Sequence, residues 1–240
     1  MSKTPSILYK VIAGSRMYGL ATETSDIDYR GFYKENIWQV LNRENSEVIV
    51  KEGDLDVQIW PTAQFFHLCE KFNSNVVEIL WAPEEFIVID SWQARLLRKH
   101  REYFITQQSF NPIIGFSISE CRKALVQDTH VSQLSGQRLD SYHKYGFCVK
   151  NAAHALRLLD IGIDLIQERK IVFPLKNRDL LLGVKTGQME KEQFYDLWQQ
   201  NLTKLQDLVP ISWLPKELNK DLIDSLYLEC VAPILEEYVC

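Results

Sequence analysis

The chain has 240 residues, 27 Lys+Arg against 32 Asp+Glu for a formal net charge of −5, and 46% hydrophobic residues, which are the proportions of an ordinary globular protein with a sizeable core. A mini-protein held by staples is excluded, and the acidic balance disfavours coating nucleic acid by bulk charge, since that mode needs many cations to displace counterions from phosphates. Five cysteines (69, 121, 148, 230 and 240) without a Cys-x-x-Cys pair fit neither a disulfide framework nor a zinc ribbon, so reduced thiols in a cytoplasmic protein are expected. No apolar run nears the ~18 residues of a membrane span, and MSKTPSILYK lacks the apolar stretch of a signal peptide, so no membrane partner is expected.

In chain order, Ser6 to Ala13 (SILYKVIA) reads as a mostly buried strand stopped by Gly14, and Asp26 to Tyr33 (DIDYRGFY) as an alternating one. In the latter Ile27 and Tyr29 share one face, while Asp26, Asp28 and Arg30 share the other. EVIV (47–50) and DLDVQIW (54–60) follow, with Leu55, Val57 and Ile59 expected on the core face of the latter. Thr62 is expected to cap a helix through AQFFHLCEKF, which Asn73-Ser74-Asn75 interrupts before VVEILW. From about Asp90 helical patterns take over: WQARLLRKHREYF behind a Ser91 cap, then a helix from Asn111-Pro112. Residues 127–141 read as a mobile polar loop, Tyr145 to Ile166 as a long helix and KIVFPL as a short strand, with three further helices in the remaining chain. The predicted class is α+β, with a small mixed or antiparallel sheet and helices in residues 1–90 and a mostly helical part in 91–240. Cys69, Cys121, Cys148 and Cys230, with Trp60, Trp81 and Trp92, are expected in the core.

Chemistry concentrates in Gly14-Ser15 followed, after nine intervening residues, by Ser25-Asp26-Ile27-Asp28. Asp26 and Asp28 on one strand face can bind the same hard cations, and divalent ions bridge nucleotide phosphates for in-line displacement. Gly14 permits a tight turn, the backbone N–H groups and the Ser15 hydroxyl can hold a terminal phosphate, and Arg16 adds a cation. A third carboxylate is wanted on a neighbouring strand. Asp56, between Leu55 and Val57, is preferred over Asp54, which adjoins the Gly53 turn, although the two share a face. An Asp-x-Asp on a half-exposed strand is more often a solvated face than a metal site; the ordered combination is what makes this one specific. Further on, Lys150, His154 and Arg157 stand at i, i+4 and i+7, one helical face suited to phosphates or an RNA backbone, although such stripes are usually just solvated.

These segments resemble the polymerase-beta-type nucleotidyltransferase superfamily. GSRMYGLATETSDIDYRGFY in particular is similar to the opening of the RlaP-like nucleotidyltransferases associated with RNA repair. FFHLCEKFNSNVVEILWAP with Glu78, VKNAAHALRLLDIGIDLI and RDLLLGVKTGQM fit the same group, so the resemblance spans roughly residues 7 to 190. It implies that Gly14 and Ser15 bind a nucleoside triphosphate and that Asp26, Asp28 and Asp56 bind Mg2+ or Mn2+. The expected reaction is transfer of a nucleoside monophosphate to a hydroxyl, with an RNA 3′ end the leading acceptor. A protein or small-molecule acceptor, or a catalytically silent nucleotide- or RNA-binding regulatory module, is the alternative. The sequence leaves the oligomeric state open.

Overall fold

The computed structural model describes residues 6–23, 25–36, 48–52, 55–126 and 128–236. They form two compact units: Met1–Ser109 with Val172–Pro174 and Pro215–Cys240, and Phe110–Ile171 with Leu175–Leu214. The class is α+β, as expected.

The first unit is built on a five-stranded mixed sheet of β1 (Ser6–Ala13), β2 (Ile27–Lys34), β3 (Val48–Glu52), β4 (Leu55–Pro61) and β5 (Ile87–Asp90), in the spatial order β3-β4-β2-β1-β5. β1 runs antiparallel to both β2 and β5, and β3 antiparallel to β4, whereas β2 and β4 are parallel, in register from Ile27 opposite Leu55 to Tyr33 opposite Pro61. The short IVID strand β5 has no counterpart in the sequence-based reading. Helices α1 (Gly14–Tyr18), α2 (Thr62–Glu70), α3 (Ser74–Val77), α4 (Trp92–Lys99) and α10 (Lys220–Glu236) accompany the sheet.

Toward their C-terminal ends β2 and β4 are buried on both faces, where only the Leu55, Val57 and Ile59 face of β4 was expected in the core. α2 follows β4 without a loop and lays Phe65 across the Phe32 and Trp60 side chains, ring centroids 4.7 and 6.4 Å away. The carboxylate-bearing face is thus covered at its C-terminal end, while Tyr33 and Ile59 are buried on the opposite face. Of the β4 residues expected on the core face, Ile59 is buried, Val57 half-buried and Leu55 39% exposed. The alternation is present, and α2 adds burial on the side opposite the one expected to face the core.

Thr62 is not a cap. It lies in the first turn of α2 and its hydroxyl donates to the Tyr33 carbonyl at 2.8 Å, while the buried Glu35 carboxylate accepts from Ala63 N–H at 2.9 Å. An acid from beyond β2 therefore satisfies the helix start that Thr62 was expected to serve. Asn73 and Ser91 do cap their helices, accepting from Asn75 N–H at 3.1 Å and Ala94 N–H at 3.2 Å. Trp60 and Trp81 are buried, but Trp92, at the first position of α4, is 43% exposed. Cys69, Cys121, Cys148 and Cys230 are buried free thiols.

The second unit is helical: α5 (Phe110–Ala124), α6 (Gln137–Tyr145), α7 (Val149–Glu168), α8 (Arg178–Lys185) and α9 (Lys191–Leu208), with α7 packed on α5, α8 and α9. Trp198 donates from α9 to the Ser117 hydroxyl of α5 at 2.9 Å, and that hydroxyl donates to the Ala155 carbonyl of α7 at 2.8 Å, tying three helices through one buried group. Residues 128–133 form a 3-10 helix and 137–145 form α6, where a loop was expected. The expected helix from Tyr145 is divided because the chain turns at Gly146 with φ 77°, in the left-handed region, before α7 begins. KIVFPL is not a strand. Val172–Pro174 belong to the first unit, where the Phe173 ring lies 5.9 Å from that of Tyr18. Among the described residues no helix is long and apolar enough to cross a membrane.

Candidate active site

β1 ends at Ala13, cross-strand from Asp28, and the chain turns directly into α1. Gly14 makes that turn with φ +63°, and a Cβ added there would lie 2.1 Å from Asp28 Oδ2 and 2.7 Å from its Cγ. The Asp28 carboxylate therefore rests on the bare Cα of Gly14, which both the dihedral and the space reserve for glycine. α1 is held from behind: the buried Tyr18 hydroxyl donates to the buried Glu78, Met17 is fully enclosed, and Tyr9, on β1, donates to the Ile79 carbonyl at 2.6 Å. The exposed Arg16 donates from Nη2 to the Ser25 carbonyl at 3.2 Å, tethering the segment that leads into β2.

The parallel β2–β4 register sets Asp28 opposite Asp56 at the N-terminal ends of their strands. Two like charges one strand spacing apart repel, and the chain answers with Arg30, two residues along β2 on the same face. Its Nη2 donates to Asp28 Oδ1 at 3.3 Å and to Asp56 Oδ2 at 3.2 Å, and its Nη1 donates to the main-chain oxygens of Asp56 at 3.1 Å and Tyr29 at 3.0 Å. Asp28 and Asp56 keep 23% and 29% of their side-chain surface open to solvent, and Arg30 16%. Arg30 is the residue that sequence reasoning passed over as a site member. The signal was its i+2 spacing from Asp28, readable as a shared face.

Gly14, Asp28 and Asp56 are thus brought together, with Ser15 in the next position. Asp26 is exposed just ahead of β2, and among the described residues no three His, Cys, Asp or Glu side chains converge to hold an ion. Asp54 lies outside the described residues. Two adjacent carboxylates over a glycine cradle nonetheless suit magnesium or manganese, hard ions commonly bound by one or two carboxylates together with substrate phosphates and water.

Lys150, His154 and Arg157 lie on α7, in the second unit. Lys150 is exposed and Arg157 buried. His154 Nδ1 sits 3.3 Å from Glu120 Oε2, and its ring meets Phe116 edge-on at 5.0 Å. Glu120, on α5, also accepts from Lys123 Nζ at 2.6 Å and Asn151 Nδ2 at 2.7 Å. Burial, seconded by the nearby Arg157 charge, holds the His154 imidazole below its usual pKa against the pull of Glu120, so it is neutral at pH 7 and donates from Nδ1. Burial alone would raise Glu120, but the bonds from His154, Lys123 and Asn151 outweigh it and bring the carboxyl down to about 2. Burial and the charge of Lys150 also hold Lys185 below the usual lysine range.

Both shifts in the His154–Glu120 pair are depressions, so both contribute stability that is complete above the unfolded pKa and lost as pH falls through the folded one. The His154 contribution fades first, below about pH 6.5, and that of Glu120 follows from about pH 4.5 to about 2, the latter on the order of 3 kcal/mol. Glu120→Gln is expected to flatten the acid limb of a stability-against-pH curve measured by denaturant titration; parallel curves for the two proteins would contradict it.

A mixed sheet with paired acids beside a Gly-Ser turn, joined to helices, is the plan of a polymerase-beta-like nucleotidyltransferase core. The chain belongs to the RlaP family, the RNA repair pathway DNA polymerase beta family, whose model matches residues 1–225. No curated protein matches the chain. Among solved structures it is similar to a nucleotidyltransferase-like protein from Exiguobacterium sibiricum 255-15, at 16% identity and a TM-score of 0.27, over 93% of this chain and 73% of that one. So loose a likeness carries no weight for the site.

Proposed function

We propose that the protein transfers a nucleoside monophosphate from a nucleoside triphosphate to a hydroxyl, with an RNA 3′ end as the acceptor. The observation that carries this reading is the Asp28–Asp56 pair, opposed across parallel strands with Asp28 seated against Gly14. A bond forms between the acceptor oxygen and the α-phosphorus, the α–β bridging bond breaks, and pyrophosphate leaves with that electron pair. Mg2+ or Mn2+, when bound, neutralises charge on the phosphates and lowers the pKa of the attacking hydroxyl.

Asp26, Asp28 and Asp56 are the residues proposed to hold the ions, and Asp56 is the group proposed to receive the acceptor's proton. Ser15, with the Gly14 backbone and Arg16, is assigned to the triphosphate, which orients the α-phosphorus and pays part of the entropy of alignment beforehand. Lys150, His154 and Arg157 on α7 are proposed for contacts with phosphates or an RNA backbone; for His154 that role calls for the protonated imidazole, because the neutral ring gives its one N–H to Glu120. The RNA acceptor rests on the family's association with RNA repair.

The test is incubation with each α-labelled nucleoside triphosphate singly, with Mg2+ or Mn2+ and a mixed pool of short RNAs. Label at RNA 3′ ends is the expected result and names the base. Label on the protein itself would move the acceptor to a side chain, and no label with any nucleotide would overturn the RNA reading.

A further inference from the structure

The acids of the site come with their own cation. One nitrogen of Arg30 contacts both Asp28 and Asp56, at 3.3 and 3.2 Å, while its other terminal nitrogen is fixed to two main-chain oxygens of β2 and β4 at 3.0 and 3.1 Å. The backbone bonds do not depend on the carboxylates. A metal ion drawing Asp28 and Asp56 toward itself would therefore leave the guanidinium anchored close by rather than released to solvent. Only 16% of its side-chain surface is exposed, so solvent screens that charge poorly.

Resting on the reading that Asp28 and Asp56 hold a divalent ion, we infer that Arg30 is a positioning residue that keeps the empty pair together and weakens its grip on a bare ion, so that the ion binds chiefly as its complex with nucleotide. Before an ion arrives, Arg30 offsets the repulsion between two carboxylates and holds them in register. When a bare dication arrives, the fixed positive charge opposes it. When the ion arrives with a polyphosphate, the negative phosphate oxygens offset both cations, and Arg30 no longer disfavours the complex. The magnitude follows from what a cation does to a carboxylate's affinity for a proton: an opposite charge within 4–6 Å weakens it roughly 10-fold to 1000-fold. Competition for a divalent ion at the same oxygens is of the same kind, and about tenfold is the conservative expectation.

The experiment measures Mn2+ binding to the full chain by electron paramagnetic resonance, without nucleotide and then with a non-hydrolysable triphosphate analogue. Arg30→Gln is expected to bind bare Mn2+ about tenfold tighter than the unaltered chain, with a clearly smaller gain when the analogue is present. Its metal-free form should also melt at a lower temperature, and Mn2+ should restore the loss. Arg30→Met, which keeps much of the apolar stem, carries the same expectations should the glutamine variant fold poorly. Arg30→Lys keeps the charge and should bind bare Mn2+ within about threefold of the unaltered chain. Equal bare-ion affinity in the unaltered chain and the neutral variants, or a lysine variant as tight as the neutral ones, would overturn the inference and leave the metal reading standing. No Mn2+ binding by any of these proteins, with or without the analogue, would remove the metal reading and the inference together.

Discussion

Gly14→Ala is expected to abolish measurable transfer, by about a hundredfold or more, while leaving the protein folded. The new methyl would sit 2.1 Å from Asp28 Oδ2, closer than any pair of non-bonded atoms tolerates, and on a backbone with φ +63°. The carboxylate is the softer partner. It is a side chain with solvent on one side, so it moves, and the motion breaks its opposition to Asp56 and its bond to Arg30. A displacement near 1 Å at a reacting centre costs on the order of 10²-fold in rate, and the left-handed backbone adds about 1–2 kcal/mol of strain to the local turn. Transfer assays paired with thermal melts check this: activity gone with a melt lowered by only a few degrees is the expected pattern. Activity within twofold of the unaltered chain would contradict the cradle.

Gly31→Ala is expected to act on the fold instead. A Cβ at this position would lie 1.8 Å from the Tyr9 carbonyl oxygen, 2.7 Å from its carbon and 3.0 Å from Lys10 Cα, all main chain of β1. No rotamer relieves such a contact. β1 is paired on both sides, by β2 and β5, and its register with β2 shifts between Ile7 and Tyr9, so parting the strands disturbs both neighbours. Overpacking against side chains costs about 1–3 kcal/mol, and a clash with backbone belongs at or beyond the top of that range. A cost of about 3 kcal/mol lowers the melting temperature of a chain this size by roughly 6–12 °C. Gly115→Ala is the control: its added Cβ meets nothing within 4 Å in α5, so helix propensity should leave stability unchanged or raise it by about 0.5–1 kcal/mol.

The sequence exposed the parts of this molecule that depend on local pattern. The alternation of DIDYRGFY and DLDVQIW gave both strands and the shared face of their acids, and the Ser91 cap followed from a side chain that bonds its own helix start. What depended on distant partners was illegible. The covering of the acid-bearing face at Phe32 and Trp60 comes from Phe65, arriving from α2, and the start of α2 is satisfied by Glu35, which lies far from it in sequence. Residues 171–175 have strand-like composition, yet among the described residues no strand pairs with them. In the site, the Gly-Ser turn and the Asp-x-Asp strand led to Gly14 and Asp28 and the apolar-Asp-apolar pattern of DLDVQIW to Asp56, and the register sets Asp28 opposite Asp56. Arg30 was visible only as a residue on the acidic face, because its role arises from the parallel pairing of β2 with β4, which no spacing within either strand encodes. His154 was legible as a cation on a stripe, but its partner Glu120 lies on another helix, and that partner with burial makes it a neutral hydrogen-bond donor.

The most direct test of the Asp28–Asp56 centre supplies α-labelled and γ-labelled nucleoside triphosphate in parallel to the unaltered chain, Asp28→Asn and Asp56→Asn, each with Mg2+ and short RNA. The expected result is α-label on the RNA with one pyrophosphate released per transfer, no γ-label on any acceptor, and loss of transfer in both variants, whose melts show them folded. Undiminished α-label transfer by either folded variant would contradict the account.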